Sequence, residues 1–213
     1  MAERTFYREE HPLSLVLTHW INLLGVGFLI LSGLYIHYPF VPGLMGLAKG
    51  THTFWAFVIV INIIVRVVLA FIVKDSNMMG SREVDTDIKN WLPQKANRHQ
   101  LWPTIKYYLF IKKEHPISAK YGVLQKLAYL STVPLILVQA YTGFALWGPT
   151  HGWSIFAAGT AAVGGLMIMR IIHFFIMWGF VCFVMLHVYL ALIYGTPPLK
   201  LMLLREETIP EGR

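Results

Sequence analysis

The sequence predicts an all-α integral membrane protein: four transmembrane helices in a bundle, with both termini on the cytoplasmic side. Three observations predict it. The chain is 56% hydrophobic and only 14% charged, whereas a soluble domain carries about a quarter charged residues. It holds four apolar runs, each able to supply the roughly 20 residues that cross a bilayer as a helix. Its basic residues also gather on one side of the topology those runs imply. No internal repeat or low-complexity segment divides the chain, so residues 1–213 read as a single membrane domain.

The first run, 14–36, contains no Lys, Arg, Asp or Glu. The second, 52–73, is interrupted only by Arg66. The third, 123–147, has Lys126 near its start, and the fourth, 166–194, has Arg170 near its start. Each is read as a helix because a helix satisfies its own backbone hydrogen bonds in lipid. Glu3, Arg4, Arg8, Glu9 and Glu10 precede the first run. That run is too long for the core of a cleavable signal, so it is read as a span. The cytoplasmic connection, 74–122, is long for a link between helices. It carries Trp91, Trp102, Tyr107 and Tyr108 among basic residues, and 103–113 reads as an amphipathic helix lying on anionic lipid. Pro197 and Pro198 end the fourth helix.

A net charge of +7 could point to nucleic acid, but its distribution reports topology instead. With the N-terminus inside, 15 of the 18 Lys and Arg residues fall on the inner side, as the positive-inside rule requires of a cytoplasmic face. The single cysteine, Cys182, excludes a disulfide within the chain and a four-cysteine iron–sulfur cluster. The absence of a C-x-x-C-H motif excludes covalent c-type haem attachment. Cys182 itself reads as a packing residue.

Nine histidines remain to be explained. His11, His99 and His115 lie in polar connections, and His37 and His151 at or beyond the outer ends of spans, so these five read as solvated or interfacial. His19, His52, His173 and His187 lie inside spans, where ionisable groups are costly and mark function. His173 and His187 are 14 residues apart. At about 1.5 Å and about 100° per residue, they project from nearly one helix face at opposite leaflets. The first span runs outward, so His19 lies near the inner leaflet. The second runs inward, so His52 lies near the outer one. Two pairs follow, His19 with His187 inside and His52 with His173 outside.

Two facing imidazoles can sandwich a flat macrocycle between helices of a bundle. Bis-histidine ligation fills both axial positions of a haem iron and favours electron transfer over oxygen binding. Zinc or copper would want its ligands clustered, whereas these pairs sit a leaflet apart. Two b haems are therefore expected. Arg66 falls 14 residues after His52, at the inner level, and Arg170 one turn before His173, at the outer level. Each is assigned to the propionates of the haem at its level. Gly25, Gly27, Gly33 and Gly143 are candidates for close approach of a backbone or a porphyrin edge.

At these residues the sequence resembles the b-type cytochrome subunits of membrane-bound nickel–iron hydrogenases and of respiratory formate dehydrogenases. The resemblance covers nearly the whole chain. It rests on His19-Trp20 followed by Ser32-Gly33, on His52 with Arg66 fourteen later, and on Lys106-Tyr107-Tyr108-Leu109-Phe110. It continues through Thr142-Gly143-Phe144-Ala145-Leu146, Arg170-Ile171-Ile172-His173, Trp178 and His187-Val188-Tyr189-Leu190-Ala191. The His52–Arg66 spacing is similar to the hydrogenase branch. The segment from Lys120 to Lys126 resembles a formate dehydrogenase segment beside the quinone, with Gly122 where that branch has Asn, so the branch stays open with hydrogenase favoured.

The resemblance implies a bacterial or archaeal cytoplasmic-membrane subunit. Its partners would be an iron–sulfur subunit and a catalytic hydrogenase or formate dehydrogenase subunit, in a complex that can form a higher oligomer. Electrons would enter at the His52/His173 haem, cross to the His19/His187 haem and reduce menaquinone or ubiquinone near the inner leaflet. Tyr121, Gln125 and His187, with Asn22 as a polar neighbour, are the candidate quinone site, since Tyr and Gln can hydrogen-bond a quinone oxygen. Two other readings compete. One is a stand-alone quinone-linked oxidoreductase of the cytochrome b561 type. The other is a transporter or non-redox anchor using its histidines for protons.

Overall fold

The computed structural model describes residues 12–76, 84–92, 95, 99–114, 122–194, 200 and 202–203. Four of its helices are long and apolar enough to cross a membrane: α1 (Leu13–His37), α2 (Met45–Ile72), α5 (Val123–Leu146) and α7 (Leu166–Tyr194). Between α2 and α5 lie a two-stranded antiparallel hairpin, β1 (Lys74–Ser76) with β2 (Val84–Thr86), and two short helices, α3 (Asp87–Trp91) and α4 (Leu101–Tyr108). Helix α6 (Ser154–Ala162) connects α5 to α7.

The long helices follow the predicted spans closely, with one difference. Helix α2 begins at Met45, seven residues before the predicted apolar run. Lys49 and two glycines, Gly46 and Gly50, lie in that opening stretch. Hydropathy marks the portion in hydrocarbon, while backbone bonding carries the helix beyond it. The connection 103–113 differs more. Helix α4 covers only 101–108, with Pro103 tolerated in its first turn. The chain leaves the helix where Phe110 takes a φ of 59°. Its exposed residues include Trp102, Leu109, Phe110 and Ile111.

Helix α6 was not foreseen, because its run of Ala, Gly and Thr has no amphipathic period. It ends in two glycines with positive φ, Gly164 at 97° and Gly165 at 109°. Gly164 N–H bonds the Ala161 carbonyl and Gly165 N–H the Thr160 carbonyl. This Schellman arrangement needs residues without a Cβ and turns the chain into α7.

The chain divides into two compact units. One comprises residues 21–63 and 132–186. Its core is Ile59, Ile63 and Ile136, packed by Val26, Leu29, Val133 and Phe180, so α1, α2, α5 and α7 all contribute. Asn62 donates to Asn22 at 2.7 Å in the same unit, which satisfies two amides among apolar helices. Tyr141 of α5 donates to the Ile155 carbonyl at 2.7 Å and holds α6.

The other unit comprises residues 1–20, 64–131 and 187–213. Its buried residues include the polar Thr18, Arg66, Asp87, Asn90, Thr104 and Lys126. The hairpin reverses the chain so that Asp87 N–H bonds the Val73 carbonyl at the end of α2. The Asp87 carboxylate, fully buried, then meets Arg66 of α2 at 2.7 Å. Trp91 Nε1–H donates to the same carboxylate at 3.0 Å, and its ring lies 4.7 Å under the guanidinium. Lys126 donates to the Leu92 carbonyl at 3.0 Å, and Trp20 donates to the Met202 carbonyl at 3.0 Å.

Much of the surface of the long helices is apolar. Leu31, Phe54, Ile61, Phe71, Phe175 and Met185 are all exposed, as expected where the solvent is lipid. Cys182, read as a packing residue, is exposed on α7 instead.

Candidate cofactor site

Within each unit the structure brings two histidines of the long helices together. The His52 and His173 rings have centroids 6.2 Å apart with planes at 63°. Those of His19 and His187 are 6.1 Å apart with planes at 52°. A metal–imidazole nitrogen bond is about 2 Å and a ring centre lies roughly 1 Å behind its nitrogen, so two imidazoles on opposite sides of one metal have centroids about 6 Å apart. Both pairs fit that spacing. Among the described residues no three His, Cys, Asp or Glu side chains gather as a metal cluster. The donor sets are pairs, which suit the two axial positions of a planar macrocycle.

The His52/His173 pair is built from four helices. On α1, Ser32 Oγ lies 3.0 Å from His52 Nδ1. On α5, Thr142 Oγ1 lies 2.8 Å from His173 Nδ1. The residue after each hydroxyl is a glycine, and both glycines lie against the histidines. A Cβ on Gly33 would stand 3.2 Å from His52 Cε1, and one on Gly143 would stand 3.2 Å from His173 Cε1. These are tight cradles that a methyl group would fill. A Cβ on Gly25 would meet Ile59 and Trp55, and one on Gly27 would meet nothing within 4 Å.

The cation candidates fall differently. Arg66 is buried and held by Asp87, a partner 21 residues away that the sequence reading did not identify. Arg170 is exposed on the first turns of α7, one turn before His173. It forms no ion pair among the described residues. Sequence reasoning also missed Gln139, whose amide nitrogen lies 3.3 Å from His173 Nε2. A polar residue in an apolar run, 34 positions before His173, was the available signal.

Among the quinone candidates, Gln125 and Asn22 have hydrogen-bond partners of their own. Tyr121 lies outside the described residues. Gln125 is exposed and accepts from the Gly122 N–H at 2.7 Å, capping its own helix. Asn22 accepts from Asn62. The remaining described histidines have local roles. His37 stacks on Phe174 at 4.3 Å, His151 contacts the Gly148 carbonyl at 2.6 Å, and His99 is exposed in a turn.

The chain is also similar to known proteins along most of its length. Residues 10–204 match the family described as prokaryotic cytochrome b561. The chain is 29% identical over 199 residues to a protein of Azotobacter vinelandii named probable Ni/Fe-hydrogenase B-type cytochrome subunit, covering 87% of this chain and 79% of that one. A protein of the same name from Azotobacter chroococcum mcd 1 is 29% identical over 202 residues, with the same coverage.

Proposed function

Since the chain belongs to the prokaryotic cytochrome b561 family, we propose that it is the membrane-anchoring dihaem cytochrome b subunit of a nickel–iron hydrogenase, passing electrons between the hydrogenase and the membrane quinone pool. That it is a multi-pass membrane protein of b-type cytochrome character follows from the family and the four apolar helices. The observation that carries the finer reading is the pair of 6 Å histidine couples, each spaced for one iron. The hydrogenase assignment is supported by the two Azotobacter relatives, whose names carry it.

In this reading His52 and His173 hold one haem, at the outer leaflet, and His19 and His187 hold the other, at the inner leaflet. Haem b supplies a reversible one-electron centre when bound. The protein supplies everything around it. The two imidazoles of each pair would hold the haem, and such paired ligation would favour electron transfer over oxygen binding. Gly33 and Gly143 let α1 and α5 press directly on the ligand rings. Arg170 offers its charge to propionates at the outer level, and Arg66, held by Asp87, is the proposed neighbour of the inner propionates. The iron–sulfur subunit of the hydrogenase would dock at the outer ends of the helices. Tyr121, Gln125, His187 and Asn22 remain the proposed contacts for menaquinone or ubiquinone. Both termini are assigned to the cytoplasm by the basic residues.

The test is hydrogen-dependent reduction. The chain solubilised with its complex should show b-type bands that appear on adding hydrogen and fade on adding a quinone analogue. Purification of the chain alone, reduced by a quinol but never by hydrogen, would instead indicate a stand-alone cytochrome b561-type enzyme.

A second prediction concerns the glycine cradles. Gly143→Ala should loosen the haem at His52/His173 by about tenfold, the lower end of the usual cost of disturbing groups behind a metal ligand. Transfer of haem to an acceptor protein measures this, and an unchanged rate would show that the cradle is unimportant.

A further inference from the structure

Ser32 and Thr142 occupy equivalent places, each on the helix facing a histidine, each one residue before a glycine that the ring touches. A hydroxyl owns one proton. Ser32 donates its proton to the Phe28 carbonyl at 2.5 Å, with a longer contact of 3.3 Å to the Leu29 carbonyl. Thr142 donates to the Gln139 carbonyl at 2.9 Å. With each proton committed to its own helix, the oxygen meets the imidazole as an acceptor. In that arrangement His52 and His173 would carry hydrogen on Nδ1.

A further contact bears on His173. On the far side of His173, the Gln139 amide nitrogen approaches Nε2 at 3.3 Å. An amide N–H there requires a lone pair on Nε2.

We propose that Ser32 and Thr142 are positioning residues that fix both imidazoles as Nδ1–H tautomers, present Nε2 to the metal, and bias the bound iron toward its oxidised state. The bias has a simple origin. Accepting the Nδ1 hydrogen makes an imidazole more basic at Nε2, and a more basic axial ligand favours ferric over ferrous iron. The proposal rests on the reading of His52 and His173 as a haem pair. Its tautomer component concerns the chain's own side chains.

The test uses the full chain in detergent. The double variant Ser32→Ala/Thr142→Val removes both acceptors at nearly constant volume, and Ser32→Thr/Thr142→Ser keeps them. Haem is counted chemically, and each haem is titrated optically against potential. In the double variant one of two haems should be easier to reduce, its oxidised-to-reduced ratio at fixed potential falling about tenfold, which is about 59 mV for one electron. The other haem should not move. The hydroxyl-retaining variant should titrate like the wild type. Full haem content with no shift would overturn the proposal, as would an equal shift in the hydroxyl-retaining variant.

Nitrogen-15 histidine NMR on the full chain prepared without haem reads the tautomer directly. His52 and His173 carrying hydrogen on Nδ1, with that preference lost in the double variant, supports the proposal even where the double variant retains too little haem to titrate. Hydrogen on Nε2 in the wild type overturns it. A wild-type chain that never binds haem overturns the cofactor reading and the redox bias with it, while the NMR result still decides the tautomer.

Discussion

Replacing His52 with alanine is expected to halve the haem content of the purified protein, from two b haems per chain to one. His173→Ala should do the same, and the double variant should lose no more than either single change. The reason is the 6.2 Å couple: in the proposed reading both rings would hold one haem, so removing either would release it. His19→Ala and His187→Ala should remove the other haem, since their rings form a separate 6.1 Å couple. A variant missing one histidine from each couple should hold no stably bound haem. The pyridine haemochrome assay counts the haems, and the reduced spectrum shows which remains. A single variant that keeps both haems would remove that histidine from the ligand set. A double variant within one couple that loses both haems would refute the pairing.

Asp87→Ala is expected to destabilise the protein by about 3–5 kcal/mol, the usual cost of breaking a buried ion pair from one side. The exposures decide the magnitude: the Arg66 side chain is 9% exposed and that of Asp87 is 0%. A surface pair would contribute about a tenth as much. The substitution removes the acceptor of both Arg66 and Trp91, and with it the anchor of α3 to the end of α2. Arg66→Met/Asp87→Leu should recover much of the loss, because it removes both charges together. Thermal unfolding in detergent measures the sequence of effects. If Asp87→Ala unfolds with the wild type, the pair is not the fastening inferred here.

The spans and the pairing of the histidines were legible because lipid imposes a coarse, periodic rule. A helix of fixed rise converts 14 residues between His173 and His187 into two levels on one face. No comparable rule places a carboxylate in a polar connection. Asp87 looks like any other charge in 74–122. It reaches Arg66 only because a hairpin folds the chain back, and that is a matter of tertiary packing. Ser32 and Thr142 stood out only as part of a resemblance. Their chemistry depends on where each hydroxyl sends its single proton, which requires the partner helix. The start of α2 was misjudged because apolar length measures immersion in lipid rather than helical extent. Helix α6 was missed because small residues carry no hydrophobic period. The quinone candidates were chosen as polar residues near one leaflet, and Gln125 and Asn22 turn out to have hydrogen-bond partners within the protein.

The ion pair between Arg66 and Asp87 also orders events during synthesis. The two residues are 21 positions apart in the chain, and at 5–20 residues per second the ribosome adds Asp87 about one to four seconds after Arg66. Until the chain folds back through β1 and β2, the guanidinium of α2 is without that counterion. During that interval the long side chain must reach toward the headgroups. Once the hairpin closes, the charge is neutralised in place and the helix gains a latch against sliding back. An arginine that burdens insertion at the start becomes the fastening that fixes the depth of α2 at the end.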